Sequence, residues 1–156
     1  MARKTIFIED AEIIFRNFRG EGNKFNREGS RNFCVVLSEE DAIKFADMGC
    51  NVKRTKAKKE GDKERPYVKV LLGEYDPEIY LISNGRKRLL SPSRYSKLDR
   101  LNFETVDMEI ARSNKQWENN GQTGYSLYLE SMVAVLSESR LRSKYADYDE
   151  DELPFD

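Results

Sequence analysis

Short stretches in which apolar and polar residues alternate dominate this 156-residue chain. In the clearest of them, the side chains of Val68, Val70 and Leu72 point one way. Those of Tyr67 and Lys69 point the other way. Such alternation is typical of a β-strand with one face in the core and the other in water. We therefore expect a strand whose outer face is available for binding.

Similar stretches recur and are separated by turn residues, of which Asn84-Gly85 is a strong β-hairpin signal.

Helix signals are fewer. Ser38 followed by three acids predicts a helix that ends at Gly49, with a core-facing stripe of Ala42, Ile43, Phe45 and Ala46. A short apolar lead at 6–8 precedes the first strand. The predicted strands are 11–18, 31–37, 50–54, 67–72, 79–82, 86–90, 103–112 and 125–136.

These elements predict a mainly β fold with short helices, for which a small Greek-key barrel is the best fit. Residues 91–98 are expected to form a short helical piece, and residues 113–124 an extended hairpin tip. The length fits one domain. We assign it to residues 1–140 and expect residues 141–156 to form a flexible acidic tail.

The net charge of -1 conceals an asymmetry between these two parts. Residues 147–156 contain six acids and no base. Removing six from the total of 28 acids leaves 22 against 27 bases, so the remainder of the chain carries about +5. The sequence therefore reads as a basic domain with an acidic tail, which favours a nucleic-acid partner.

The chain has no histidine, which removes the commonest general base and metal ligand. Cys34 and Cys50 lack the spacing of a zinc or redox motif and are interpreted as reduced packing residues. We expect no cofactor or metal and no catalytic residue. No apolar run approaches the length of a membrane helix and no signal peptide is evident, so we expect an intracellular protein that does not interact with membranes.

Aromatic and basic residues occur together on predicted loops and exposed strand faces. Phe25 follows Lys24, Tyr67 is two residues from Lys69, and Trp117 is two from Lys115. Proteins that bind single strands need this combination, because cations track phosphates while flat rings stack on exposed bases. The alternative is that the rings pack under loops and the lysines are ordinary solvated surface. Trp117 fits that alternative least, since its neighbours are polar.

A basic segment adds a candidate phosphate-binding site. Residues 53–69 contain eight bases and three acids, although a solvated loop would explain the same charges. The residues predicted to bind a single strand are Arg16, Arg19, Lys24, Phe25, Arg27, Arg31, Lys53, Arg54, Tyr67, Lys69, Lys115 and Trp117.

The terminus, YADYDEDELPFD, is the most specific feature. A block of acids cannot fold alone. This one, however, ends in the short apolar segment Leu-Pro-Phe, which suits an apolar pocket with a basic rim on another protein. The residues predicted to bind a partner are Asp149, Glu150, Asp151, Glu152, Leu153, Pro154 and Phe155.

This tail resembles the acidic tip of bacterial and phage single-stranded DNA-binding proteins. The body resembles a group of phage single-strand binders through IIFRNF, KFNREGSRNFCVVL, the Gly-Cys-Asn-Val-Lys stretch after the helix, YVKVLL and GYSLYLESMVAVL. The resemblance implies an OB-fold barrel and sequence-tolerant binding of single-stranded DNA in the host cytoplasm. It also implies recruitment of replication or recombination proteins through the tail. One departure is that Asp156 follows Phe155, whereas the resembled tips end in phenylalanine, which leaves open a tail that competes with DNA within the protein.

Two other classes remain open. A metal-dependent nuclease or resolvase would use clustered carboxylates such as Asp107 and Glu109 with Lys115. A pure interaction module would use the tail as a mimic of nucleic acid and bind none itself. Since edge strands of small barrels often pair between subunits, a homodimer is a further hypothesis.

Overall fold

The computed structural model describes residues 4–22, 27–56, 61, 63–73 and 75–137. The predicted tail, 141–156, lies outside these residues. In the described part of the chain, the helices are too short and too polar to span a bilayer. The strands are β1 (Lys4–Ile8), β2 (Glu12–Asn17), β3 (Asn32–Val36), β4 (Lys53–Arg54), β5 (Pro66–Leu71), β6 (Glu78–Ser83), β7 (Arg86–Leu89), β8 (Phe103–Arg112), β9 (Trp117–Asn119), β10 (Gln122–Gly124) and β11 (Leu127–Leu136). The helices are α1 (Glu39–Asp47) and a 3-10 helix (Pro92–Asp99).

Strand β11 occupies the centre of the main sheet. It pairs antiparallel with β8, and it runs parallel to β5 at Tyr128 and to β6 from Ser131 to Val135. The strand order is β1-β8-β11-β5-β3-β2, with β4 added to β5 and the β6-β7 hairpin branching from β11. Among the described strands, β1 and β2 lie at the two ends of this order. The prediction of a mainly β, OB-fold-like domain with short helices is confirmed.

The core lies between the inner faces of these strands. Val68 and Val70 of β5 are buried, while Lys69 is exposed and Tyr67 is half-buried, so the alternation predicted for this strand is confirmed. At the far end of the core, Phe18 stacks on Phe33 with ring centroids 5.0 Å apart. Strand β5 therefore has one buried and one outer face, whereas β3 is buried on both faces except at its last residue, Val36.

Several elements differ from the sequence predictions. The apolar lead at 6–8 is part of a full strand, β1, because its backbone pairs with β8. The stretch 50–54 forms only the two-residue strand β4 and an isolated bridge from Cys50 to Tyr125. The predicted hairpin tip folds into its own small sheet, β9-β10, turning at Asn120-Gly121. Each difference depends on pairing between segments distant in sequence, or on local turn geometry.

The predicted helix is confirmed, but its core stripe is partly wrong. Ser38 caps α1 by accepting a hydrogen bond from the backbone N–H of Asp41 at 3.0 Å. Ala42 and Phe45 are buried, whereas Ile43 is 63% exposed and Ala46 is exposed. A nine-residue helix lying on the sheet buries only a narrow stripe, so positions at the margin of the apolar pattern face solvent.

Candidate nucleic-acid interface

A bulge in β2 places an aromatic side chain on the surface. The register of β2 against β3 shifts between Ile14 and Asn17. An advance of three residues along β2 lies opposite an advance of only two residues along β3. Phe15 lies within this bulge with φ +49°, a conformation unusual for a bulky residue. Its side chain is 64% exposed. Since proteins retain such backbone strain mainly where the structure uses it, Phe15 is a candidate for function.

Phe15 does not stand alone. Its ring meets that of Tyr67 edge to face, with centroids 5.5 Å apart and planes at 69°. Tyr67 belongs to the outer face of β5, where it pairs with Val36 of β3 and Lys53 of β4. The two rings form an aromatic pair on the outer face of the sheet, a preferred arrangement for neighbouring π-systems.

The 3-10 helix fastens the bulge in place. The Asp99 carboxylate accepts hydrogen bonds from the backbone N–H groups of Phe18 at 2.7 Å and Arg19 at 3.3 Å. In return, the Arg16 guanidinium donates to the carbonyl oxygens of Leu98, at 3.1 Å, and Leu101. Partial burial lowers the pKa of Arg16, and the nearby charge of Asp99 opposes that effect. These reciprocal contacts hold the segment that directly follows Phe15 against the 3-10 helix and the residues after it.

The aromatic pair borders a groove that we call the Tyr67 groove. Its volume is about 750 Å³, and strands β2 to β5 form its floor together with the end of the 3-10 helix. Within it, Cys34 pairs with Lys69 across β3 and β5. The lining residues are Phe15, Arg16, Asn17, Arg19, Glu21, Asn32, Cys34, Lys53, Tyr67, Lys69, Asp99 and Arg100.

A second depression, the Trp117 groove, adjoins the first. It has a volume of about 180 Å³ and includes Lys53 and Lys69, which also line the Tyr67 groove. The two grooves therefore adjoin each other at these lysines, and we refer to them together as the joined grooves. The lining residues of the Trp117 groove are Asn51, Lys53, Lys69, Leu71, Trp117, Tyr125, Ser126 and Leu127.

Glycines determine where the rings of the Trp117 groove lie. Trp117 and Gly124 are partners in the β9-β10 hairpin, and a Cβ atom on Gly124 would lie 2.6 Å from the indole. Similarly, a Cβ on Gly49 would lie 2.8 Å from the ring of Tyr125. The Arg112 guanidinium also lies over the Tyr125 ring, 4.0 Å from its centroid. Close approach to backbone thus fixes both rings against the rim of the groove.

The charges of the joined grooves favour an anion. Within the described part of the chain, Lys53 and Lys69 pair with no carboxylate. Two nearby arginines differ: Arg54 makes a bidentate pair with Glu39 at 2.8 Å, and Arg65 one with Glu12 at 2.7 Å. Together with Arg100, which is exposed in the Tyr67 groove, the two lysines are therefore the cations best placed to meet phosphates.

Cys34 forms part of the groove floor and carries no charge near neutral pH. Burial raises the pKa of its thiol to about 11, although Lys69 and Lys53 act in the opposite direction. A protonated thiol is a poor nucleophile. The side chain therefore contributes an apolar surface beside Lys69.

The structure brings together half of the residues predicted to bind a single strand. Arg16, Arg19, Lys53, Tyr67, Lys69 and Trp117 line the joined grooves. Two of these are partly engaged elsewhere: Arg16 by the carbonyl groups, and Arg19 by an ion pair with Glu21.

The other predicted residues lie elsewhere. Arg31 pairs with Asp76 at 3.1 Å and lies over the ring of Tyr95, away from the groove lining. Arg54 is held by Glu39, and Arg27 is exposed in a turn outside the lining. Lys115 lines a separate groove with Tyr75 and Tyr128. Lys24, Phe25 and the predicted partner-binding residues 149–155 lie outside the described residues.

Three aromatic or basic lining residues were missed by the sequence analysis. Phe15 and Tyr125 were assigned to ordinary strands, and Arg100 was not singled out. An alternating pattern assigns Phe15 to the same face as Ile13, and only the bulge changes this direction. Arg100 carries one usable signal, since a cation directly after a predicted short helix lies at the protein surface.

The carboxylates of the nuclease hypothesis, Asp107 and Glu109, both belong to β8. Asp107 lies on β8 and accepts a hydrogen bond from the backbone N–H of Asp10 at 2.9 Å. Within the described ranges, no group of three or more cysteines and acids is arranged to hold a metal ion. The hydrogen bond from Asp10 to Asp107 fastens the turn between β1 and β2 to β8.

A family model for a phage ssDNA-binding domain matches residues 1–154. A search of curated proteins finds no match.

Among solved structures, similarity is found to the single-stranded DNA-binding protein from bacteriophage Enc34. Its complex with ssDNA has 11% identity and a TM-score of 0.54, covering 86% of this chain and 88% of that chain. A C-terminal truncation has 10% identity and a TM-score of 0.53, covering 86% and 87%. A third structure has 9% identity and a TM-score of 0.52, covering 96% and 86%. At these identities the similarity concerns the fold.

Proposed function

The chain belongs to the phage ssDNA-binding domain family, and on that premise we propose that it binds single-stranded DNA along the joined Tyr67 and Trp117 grooves. The observation that carries the proposal is the junction of these grooves. There Lys53 and Lys69, which pair with no carboxylate of the described residues, lie between the Phe15-Tyr67 pair and Trp117. Cations flanked by rings suit a strand whose phosphates and bases are both accessible.

The same arrangement favours a single strand over a duplex. In a duplex the bases are stacked on each other and their faces are unavailable to Phe15, Tyr67 or Trp117. Stacking on aromatic side chains contributes about 1 to 3 kcal/mol per base and tolerates any sequence, since every base has a flat face. We therefore expect the protein to coat single strands without strong sequence preference.

The proposal extends to the biological role. We infer that the protein acts in replication or recombination in the host cytoplasm, and that residues 149–155 recruit partner proteins. The support is the block of acids around Leu153-Pro154-Phe155, which suits a basic-rimmed apolar pocket. Replacing Phe155 by alanine should abolish capture of a replication or recombination protein and leave ssDNA affinity unchanged. Unchanged capture would contradict the recruitment role.

A homodimer through an edge strand is part of the same proposal. Strands β1 and β2 end the path of the described sheet, and an unpaired edge can accept a strand from a second copy. Light scattering of the purified chain should give twice the monomer mass of 18.2 kDa. A mass equal to the monomer would overturn this point without affecting strand binding.

The central experiment is a titration of the purified chain with an oligothymidine strand and with a duplex of equal length. Trp117 is the only tryptophan, so its fluorescence reports directly on one groove. Quenching by the single strand, with an affinity that falls as salt rises and a weak response to duplex, is expected. Equal binding to both, or to neither, would contradict the proposal. Cleavage of the strand on addition of magnesium or manganese would favour a nuclease instead.

A further inference from the structure

A third groove continues the outer surface past the β9-β10 hairpin, and we propose that it holds additional nucleotides of the same bound strand. We call it the Tyr128 groove. Its lining includes Gly73, Tyr75, Ser113, Asn114, Lys115 and Tyr128, and its volume is about 590 Å³. The inference rests on the proposed function and extends it, because it assigns a longer DNA path than the two joined grooves provide.

The Tyr128 groove adjoins the Trp117 groove through one residue pair. Leu71 of β5 and Tyr128 of β11 are direct partners where these strands run parallel. Paired residues on neighbouring strands project to the same face of a sheet. Leu71 lines the Trp117 groove and Tyr128 lines the Tyr128 groove. A DNA strand that leaves Trp117 would therefore meet Tyr128 on the neighbouring β-strand.

Tyr128 is held in a position suited to stacking. A Cβ atom on Gly73 would lie 2.8 Å from the Tyr128 ring, so the ring is pressed against backbone that has no side chain. Beside it, Tyr75 is 79% exposed, a large fraction for an aromatic side chain. One ring fixed by backbone and one reaching into solvent together provide two surfaces on which bases could stack.

The charges of this groove differ from those of the joined grooves. Lys115 supplies a cation, while Asp76 and Glu130 are acids, and Asp76 is paired with Arg31 at 3.1 Å. The local charge is close to balanced. Stacking, rather than attraction for phosphate, must therefore dominate here, which predicts a contribution that is nearly independent of salt.

The test compares oligothymidine strands of increasing length, from about 4 to about 16 nucleotides, the range covered by single OB-fold sites. The unaltered chain and the variant Tyr75→Ala are titrated by Trp117 fluorescence. Because Tyr75 is so exposed, its removal leaves the core intact. Phe7→Ala is the matched control, since Phe7 is also an exposed aromatic residue, 62% accessible, on the outer side of β1 away from the three grooves.

We expect Tyr75→Ala to bind the shortest strands as well as the unaltered chain, and to bind the longest about fivefold more weakly with the same salt dependence. Equal affinity at every length would overturn the inference. So would an equal loss at every length, because the residue would then act through the joined grooves. If the unaltered chain binds no strand of any length, the proposed function itself fails, and the extension fails with it.

Discussion

The carboxylate of Asp99 accepts a hydrogen bond from the backbone N–H of Phe18 at 2.7 Å, although the two residues lie 81 positions apart. The same carboxylate also accepts from the N–H of Arg19. Asp99 thus ties the end of the 3-10 helix to the strand that carries Phe15.

Replacing Asp99 by alanine should lower the free energy of unfolding by about 1.5 to 3 kcal/mol, the usual range for a hydrogen bond to a charged group. It should also weaken ssDNA binding, because the bulge that presents Phe15 loses its support. Urea unfolding and strand titration measure the two effects. Asp47→Ala, at an exposed position at the end of α1, is the control and should change neither. A fully stable Asp99→Ala protein would contradict the positioning role.

Phe15 and Tyr67 should each contribute to binding. Replacing either by alanine is expected to reduce affinity for oligothymidine by about 1 to 3 kcal/mol. Since the two rings are in contact, the losses should not add, and a double-mutant cycle should give a coupling of about 0.5 to 1.5 kcal/mol. Additive losses would mean that the rings act separately. No loss from either variant would place the strand elsewhere.

The salt dependence should identify the cations that meet phosphates. Lys53→Gln and Lys69→Gln should each reduce the slope of log affinity against log salt by about 0.7. Arg54→Gln is a matched control on the same strand as Lys53, because Glu39 already pairs with Arg54. A larger change in slope for Arg54→Gln than for either lysine would refute this assignment of roles.

Gly124 should control the position of the indole. Its backbone permits alanine, but the added methyl group would approach the Trp117 ring to 2.6 Å and displace it. We expect Gly124→Ala to reduce strand affinity several-fold and to diminish the fluorescence change on binding. Thr123→Ala, at the neighbouring exposed position of β10, provides the comparison and should behave like the unaltered chain. An unchanged fluorescence response in Gly124→Ala would remove Trp117 from the interface.

The reactivity of Cys34 should depend on pH in a defined direction. The pKa of its thiol is raised to about 11 in the folded chain, against an ordinary value of 9.0. Only the thiolate reacts with iodoacetamide, so labelling of folded Cys34 should increase by about tenfold per pH unit between pH 8 and 10. In the unfolded chain, the rate should level off above pH 9. Bound oligothymidine should protect Cys34, and peptide mapping by mass spectrometry distinguishes it from Cys50.

The same pKa difference affects stability. Above pH 9 the unfolded chain loses the Cys34 proton while the folded chain retains it up to about pH 11. Because the folded state then binds more protons, the free energy of unfolding should fall as pH rises through this window. Cys34→Ala should show a smaller fall in urea titrations at pH 8 and 10.5. An identical fall in both proteins would assign the alkaline sensitivity to other groups.

The sequence predicted the parts of the site that depend on local pattern. Alternation in β5 placed Tyr67 and Lys69 on the outer face, and the polar surroundings of Trp117 placed it outside the core. The strand limits of β8 were predicted residue for residue. These successes share a cause, since side-chain direction in a regular strand follows from a period of two residues.

What could not be predicted depends on contacts between distant segments. The bulge at Phe15 is a mismatch between β2 and β3, and it has no signature within either strand alone. Arg31 resembled a DNA-binding residue in its local sequence, yet its partner Asp76 lies 45 positions away. Likewise, Arg54 is separated by 15 positions from Glu39. Charge that looks available in sequence can therefore be neutralised in the fold.

The central place of β11 has a consequence for how the protein is made. This strand joins β8, β5 and β6, and it is the last of the described strands to be synthesised. The ribosome synthesises the chain from its N-terminus, and β-strand pairing between distant segments forms slowly. Until residue 136 has emerged, the edges of β5 and β8 that pair with β11 are unpaired, and before Leu127 emerges the Trp117 groove is incomplete. DNA binding should therefore begin only near the end of translation, and truncated products should aggregate instead of competing for single strands.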